Sequence, residues 1–384
     1  MLCAAAGLFL LAALPGKAEA GVADQVDPIV ERLMAATGVP GAAVCLVTRD
    51  QVVLAKGYGV RNESGDPVTE STLFGIGSLT KSLTALDVAQ LVDSGKIDLD
   101  APVVAYIPEL RLSDAAATRA LTVREVLSQA SGIPRSDAIW VFGDPADRKA
   151  IVDDIANVRL TARPGAAWQY SNQNYLIAGY LVERVSGESW EEYTRRNVLA
   201  PLGMNDADFA IDAMLGTTDW SETFQPVARG KRMAVPFNRK IFANLALMGP
   251  AGSINASIFD MARYAMFQLG DGTAGGRRVV SARMLGAMHE RQIGLAGLPE
   301  GTSLAERSAT SRMGYGLGWF TEEYRGHRLA MHPGIIGGFR ASITIAPDDG
   351  VGLVVLTNSR SGGLLASQLR LRLIALMWDR KMPS

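Results

Sequence analysis

Cysteine is scarce, with only Cys3 and Cys45 in 384 residues. Loss of an N-terminal leader would leave Cys45 alone, so no intrachain disulfide is expected and stability must come from packing. Cys45 lies in an apolar run, Ala42 to Thr48, which predicts a buried structural thiol. Histidine is nearly as rare. His289, His327 and His332 are the only three, and none sits at a zinc-binding spacing such as H-E-x-x-H. No metal and no cofactor is expected. Charge of one sign is not in excess either: 38 Lys and Arg face 39 Asp and Glu. A chain so balanced offers no general attraction to nucleic acid or to an acidic bilayer. No apolar run in the body reaches the roughly 20 residues of a membrane-spanning helix. A G-x-S-x-G nucleophile elbow and a G-x-x-x-x-G-K-[ST] phosphate cradle are both missing. The partner left by these exclusions is a small molecule, and the oligomeric state is not legible.

At the N-terminus, Leu2 to Leu14 is apolar, Pro15-Gly16 breaks it, and Ala18-Glu19-Ala20 has the small-x-small form of a cleavage site. Residues 1–20 therefore read as a signal peptide, although no Lys or Arg precedes the apolar run. Export to the periplasm or beyond is expected.

The rest of the chain has room for two or three domains. A helix is predicted over Asp27 to Ala36, then strands Ala42 to Thr48 and Gln51 to Tyr58 as a hairpin. Strand texture returns at the far end, in Tyr315 to Thr321, Arg328 to His332, Phe339 to Ala346 and Val351 to Thr357. A helix from about Leu364 to Trp378 follows. Between these ends the apolar spacing is helical: Leu79 to Ser94, Val123 to Leu127, Asn174 to Val185, Trp190 to Val198 and Ser257 to Leu269. Strands and helices do not alternate regularly, which argues against a doubly wound parallel sheet. The expected fold is α/β (α+β): an antiparallel sheet built from both chain ends, residues 21–82 and 306–384, with helices flanking it and a helical domain, 83–305, inserted. Gly216 to Leu247 is the least regular stretch. From Arg229 to Lys240 it carries five cations and no acid, which reads as a solvated loop or as a contact surface for an anionic substrate.

Candidate chemistry begins at Gly77-Ser78-Leu79-Thr80-Lys81, where a helical run opens. Residues three apart share a helix face, so the Lys81 amine can reach the Ser78 hydroxyl. A serine becomes a good nucleophile only if something takes its proton, and lysine can do so only when neutral. Bringing a lysine from roughly 10.4 to about 7 requires some 4 to 5 kcal/mol, which burial and a helix N-terminus both favour. This is the one S-x-x-K in the chain. Tyr170-Ser171-Asn172 stands before another predicted helix; a phenol can relay a proton and an Asn amide can bond a carbonyl. His332-Pro333-Gly334 closes a predicted strand, with Gly337 and Gly338 beyond it, and glycines there let a ligand approach the strand edge.

In this order the three elements resemble the serine β-lactamase and penicillin-binding-protein superfamily, in particular class C β-lactamases, DD-peptidases and the carboxylesterases on the same fold. Val39-Pro40-Gly41, Ser131-Gly132-Ile133-Pro134, Arg163-Pro164-Gly165, Pro201-Leu202-Gly203-Met204, Asp260-Met261-Ala262-Arg263 and Tyr315-Gly316-Leu317-Gly318-Trp319 extend the likeness over nearly all the chain. The resemblance implies that Ser78 accepts the acyl group, that Lys81 and Tyr170 move protons, and that Asn172 holds substrate. It implies an oxyanion hole from the backbone N–H groups of Ser78 and Ile335, with His332 and Gly334 lining the substrate strand. One departure stands out: class C β-lactamases and most penicillin-binding proteins have Lys-Thr-Gly where this chain has His332-Pro333-Gly334. A mostly uncharged His and a Pro without hydroxyl or N–H would hold a substrate carboxylate less well. The expected activity is thus a serine hydrolase acting on small esters. A β-lactamase, a D-amino-acid peptidase or amidase, and a catalytically silent binding or sensor protein are the alternatives.

Overall fold

The computed structural model describes residues 20–226, 232–295 and 310–379. The expected signal segment, Arg229, Lys231 and the expected domain boundary at 306 lie outside the described residues. Eight strands form one antiparallel sheet: β1 (Gly41–Thr48), β2 (Val52–Gly59), β3 (Ile293–Gly294), β4 (Thr310–Tyr315), β5 (Phe320–Tyr324), β6 (His327–Ile336), β7 (Phe339–Ala346) and β8 (Val351–Thr357). Their order is β2-β1-β8-β7-β6-β5-β4-β3, so the N-terminal hairpin docks onto the last strand of the chain. This is the sheet from both chain ends that the sequence predicts.

Period-two alternation explains why β1 is apolar throughout. Ala43, Cys45 and Val47 enter one hydrophobic cluster, while Ala42, Val44 and Leu46 enter another on the opposite face. Helices α1 (Ala20–Thr37) and α6 (Gly362–Asp379) cover the second face. The first face meets helix α5 (Ile258–Leu269), and helices α2 (Thr80–Asp93) and α3 (Asn172–Ser186), packed on each other, belong to the same cluster. Here α4 is the nine-residue helix Arg239–Leu247. Helix α2 runs across position 82 and is buried on nearly every side, as a helix at the centre of a core must be. Helix α5 lies against β1 and β8, although it belongs to the stretch expected to be a separate helical domain. Its start is fixed by a capping box between Ser257 and Asp260.

Three expectations are corrected. Tyr315 to Thr321 is not one strand: Gly316–Trp319 turns the chain between β4 and β5, with Gly318 at φ +84°. That turn sits so close to α2 that a side chain at Gly318 would meet the Lys81 carbonyl. His332-Pro333-Gly334 does not end a strand but lies inside β6. Proline is tolerated there because β5 pairs only with His327–Met331, leaving residues 332–336 bonded to β7 alone among the described residues. Gly216 to Leu247 contains α4, whose N-cap Asn238 accepts from the Ile241 N–H at 3.1 Å. Its cations are partly spent: Arg239 pairs with Asp212, Lys240 lies 3.8 Å from Asp144, and Arg232 stacks on Phe224. No helix among the described residues is long and apolar enough to cross a membrane.

Candidate active site

A short strand, Phe74–Gly75, leads into a single 3-10 turn, Gly77–Leu79, that runs directly into α2. Gly77 has φ +54°, and a Cβ there would lie 2.7 Å from the Ile335 nitrogen. Across the gap, a Cβ on Gly334 would lie 2.0 Å from the Ile76 carbonyl oxygen. Two glycines therefore let the nucleophile turn press against the half-paired end of β6. The backbone just before Ser78 is thereby brought against that of Ile335, a residue that is 61% exposed. Ser78 itself is half-buried.

Lys81 is fully buried one turn on. Its Nζ lies 3.0 Å from Ser78 Oγ, 2.8 Å from Asn172 Oδ1 and 2.6 Å from the Ala251 carbonyl. Burial holds the amine well below the ordinary lysine range; the Asp137 carboxylate opposes that shift and Arg135 adds to it. A neutral amine keeps two N–H donors and one lone pair. Both Asn172 Oδ1 and the Ala251 carbonyl can only accept, so they take the two donors and leave the lone pair for Ser78.

Tyr170 closes the other side. Its ring stacks on Phe320 at 6.5 Å and sits in an aromatic wall with Trp168, Tyr315 and His332. Burial pushes its phenol up, only partly offset by a hydrogen bond with Ser78, so it keeps its proton at neutral pH. Gln129 straps this segment in place: its carbonyl accepts from Gln169 N–H, and its Oε1 accepts from Ser171 N–H and Asn174 Nδ2. To do so Gln129 adopts φ +61°, a left-handed conformation costing a non-glycine residue roughly 1 to 2 kcal/mol.

His332 is buried, and the structure gives it no free polar atom. Nδ1–H donates to the Pro333 carbonyl at 2.8 Å, so Nε2 accepts from the Tyr315 hydroxyl at 3.0 Å. Burial and the nearby Lys81 push its pKa down to about 3. This agrees in kind with the expectation of a mostly uncharged His332 on this strand, and both of its nitrogens are already engaged. Three contributors carry no motif and were missed in the sequence, Asp137, Gln129 and the Ala251 carbonyl, while Tyr315 was noted there only as part of the wider likeness. A cavity of about 720 Å³ opens beside the site, lined by Pro134–Ala138, Asp154, Asn157, Val158 and Arg159. Ser78, Lys81 and Tyr170 do not line it.

A half-buried serine with a desolvated lysine one turn later, set against a half-paired strand of this sheet, defines a serine β-lactamase and penicillin-binding-protein class of fold. A Beta-lactamase family model matches residues 26–376, and the chain belongs to that family. It is 31% identical over 334 residues to Penicillin-binding protein 4 of Amycolatopsis lactamdurans, covering 86% of this chain and 82% of that one. It is 25% identical over 342 residues to Protein flp of Staphylococcus aureus strain NCTC 8325 / PS 47. That match takes in 88% of this chain and 63% of the relative, so the chain spans less than two thirds of that relative's length. The octameric penicillin-binding protein homologue from Pyrococcus abyssi superposes with a TM-score of 0.77 at 27% identity, over 92% of this chain and 77% of that one.

Proposed function

We propose that the protein is a serine hydrolase that cleaves small esters through an acyl-enzyme on Ser78. The observation that carries this reading is the dry Lys81 amine 3.0 Å from the Ser78 hydroxyl, with both its other partners able only to accept. Neutral Lys81 takes the Oγ proton as Oγ adds to the ester carbonyl carbon. The negative charge that develops on the carbonyl oxygen falls between the N–H groups of Ser78 and Ile335, donors worth roughly 2.7 to 4 kcal/mol each by mutational loss. The C–O bond then breaks, and the alcohol leaves with a proton delivered from Lys81 by way of the Tyr170 hydroxyl. Water repeats the attack on acyl-Ser78, and the acid departs.

Esters are favoured over lactams because the strand offers a substrate carboxylate nothing charged: His332 is neutral with both nitrogens occupied, and Pro333 has no N–H. Losing one charge-assisted hydrogen bond costs about 1.5 to 3 kcal/mol, roughly 10- to 150-fold in rate, against carboxylate-bearing substrates only. A parallel screen of aryl esters of graded acyl length, a chromogenic cephalosporin and D-alanyl peptides, with Ser78→Ala as blank, tests this. Esters should give the highest kcat/KM, and a cephalosporin turned over as fast as the best ester would overturn the preference. We further propose that residues 1–20 direct export; a secreted reporter fused to them should leave the cytoplasm.

A further inference from the structure

We propose that Asp137 is a positioning residue that aims the Lys81 lone pair at Ser78, acting through the amide of Asn172. The inference rests on the acyl-enzyme reading above. Asp137 lies in the stretch 134–138, between the site and the adjoining cavity, with its side chain 23% exposed. Its Oδ1 accepts from Asn172 Nδ2 at 2.8 Å and from Trp140 Nε1 at 3.2 Å, and its Oδ2 accepts from Arg135 Nε at 2.5 Å.

An amide has a donor end and an acceptor end, and rotation by half a turn exchanges them. A carboxylate only accepts, so Asp137 compels Asn172 to turn its NH₂ outward and its oxygen towards Lys81. With the Ala251 carbonyl fixed as the second acceptor, the two protons of the neutral amine are directed, and its lone pair has Ser78 Oγ as its remaining neighbour. Remove the carboxylate and the amide is free to turn. Its NH₂ would then face Lys81 and occupy the lone pair that Ser78 needs.

Charge adds a second, separable effect. Around Lys81 stand Ser78, the rings of Tyr170 and Tyr175 at 5.0 and 5.6 Å, neutral His332, the Arg135 cation and the Asp137 carboxylate. Of these, the Asp137 carboxylate favours the protonated amine. Without it Lys81 loses its proton at lower pH.

The test compares wild type with Asp137→Ala and the near-isosteric Asp137→Asn, each checked for an unchanged melting profile. Aryl acetate hydrolysis and the rate of fluorophosphonate labelling are followed against pH. Both variants should lose about 100-fold in kcat, the scale of a misaligned catalytic group. The loss should fall more on kcat than on KM, although KM rises too if Asn172 holds substrate, because its amide turns in both variants. The rising limb of kcat/KM should move to lower pH in both. Asp137→Glu, which keeps the carboxylate, should keep the wild-type limb. A folded Asp137→Asn with wild-type kcat and an unmoved limb overturns the proposal. If wild type is labelled somewhere other than Ser78, the acyl-enzyme reading fails; if it is labelled at Ser78 and Asp137→Asn reacts identically, only the role of Asp137 falls.

Discussion

At Lys81 a charge that water would normally stabilise is shut away from it, and the chemistry follows from that. Because the amine must be neutral to act as a base, kcat/KM should rise with pH through a limb well below the ordinary lysine range, then level off. A limb near pH 10 in an ester assay would show that Lys81 is not the base. Lys81→Arg should be as damaging as Lys81→Ala, because a guanidinium stays protonated. Tyr170→Phe should cost roughly 10²- to 10⁴-fold, the range for positioned proton transfer, with labelling of Ser78 slowed in step. Retention of wild-type kcat by Lys81→Arg would reduce the lysine to a point charge. The pairing of Ser78 with Lys81 was legible in the sequence because three residues along a helix fix a geometry. The pairing of Asn172 with Asp137 was not: it spans 35 residues, and no local pattern says which turn of chain meets which.

Elements carry these side chains to one place, and glycines decide how closely the elements pack. Gly77 combines a left-handed φ with a neighbour at 2.7 Å, so Gly77→Ala adds roughly 1 to 2 kcal/mol of backbone strain and pushes the Ser78 turn off β6. We expect a lower melting temperature and at least a tenfold loss of kcat, because the two N–H groups proposed to hold the oxyanion would separate. Gly286 is the control. It lies in the helix Ala282–His289 with nothing within 4 Å of an added Cβ, so Gly286→Ala should stabilise by roughly 0.5 to 1 kcal/mol and leave activity alone. Equal losses in both variants would mean that close approach at Gly77 is not what matters. Most strands and long helices were legible, since the short apolar run of β1 and the helical spacing of α5 act within a few residues. The break of Tyr315–Thr321 into a turn was hidden, because Phe320 and Trp319 look strand-like until the packing of Gly318 on α2 is known. Likewise Pro333 argues for a strand end in the sequence, and only the missing partner on one side of β6 makes room for it.

On the scale of the whole molecule, the core holds a titratable ring that the chemistry does not use. His289 is half-buried, its ring against Trp319 and its Nε2 hydrogen-bonded with Gln268, and desolvation lowers its pKa to about 3. Below pH 6.5 the unfolded chain takes up a proton that the folded chain refuses, so stability present above 6.5 is lost as the pH falls towards 3. At pH 5 that amounts to about 2 kcal/mol. Denaturant melts of wild type and His289→Gln at pH 7 and pH 5 should diverge by this amount, wild type losing more, whereas parallel changes would locate the acid sensitivity elsewhere. The half-paired end of β6 has a consequence for solubility as well. A bare strand edge on the outside of a molecule invites another chain to pair with it and begin an aggregate. Here the bare stretch faces the nucleophile turn, whose backbone at Ile76 and Gly77 packs directly against Gly334 and Ile335. The unfinished seam in the sheet is filled from within: the turn that carries Ser78 occupies the place where a further strand would pair.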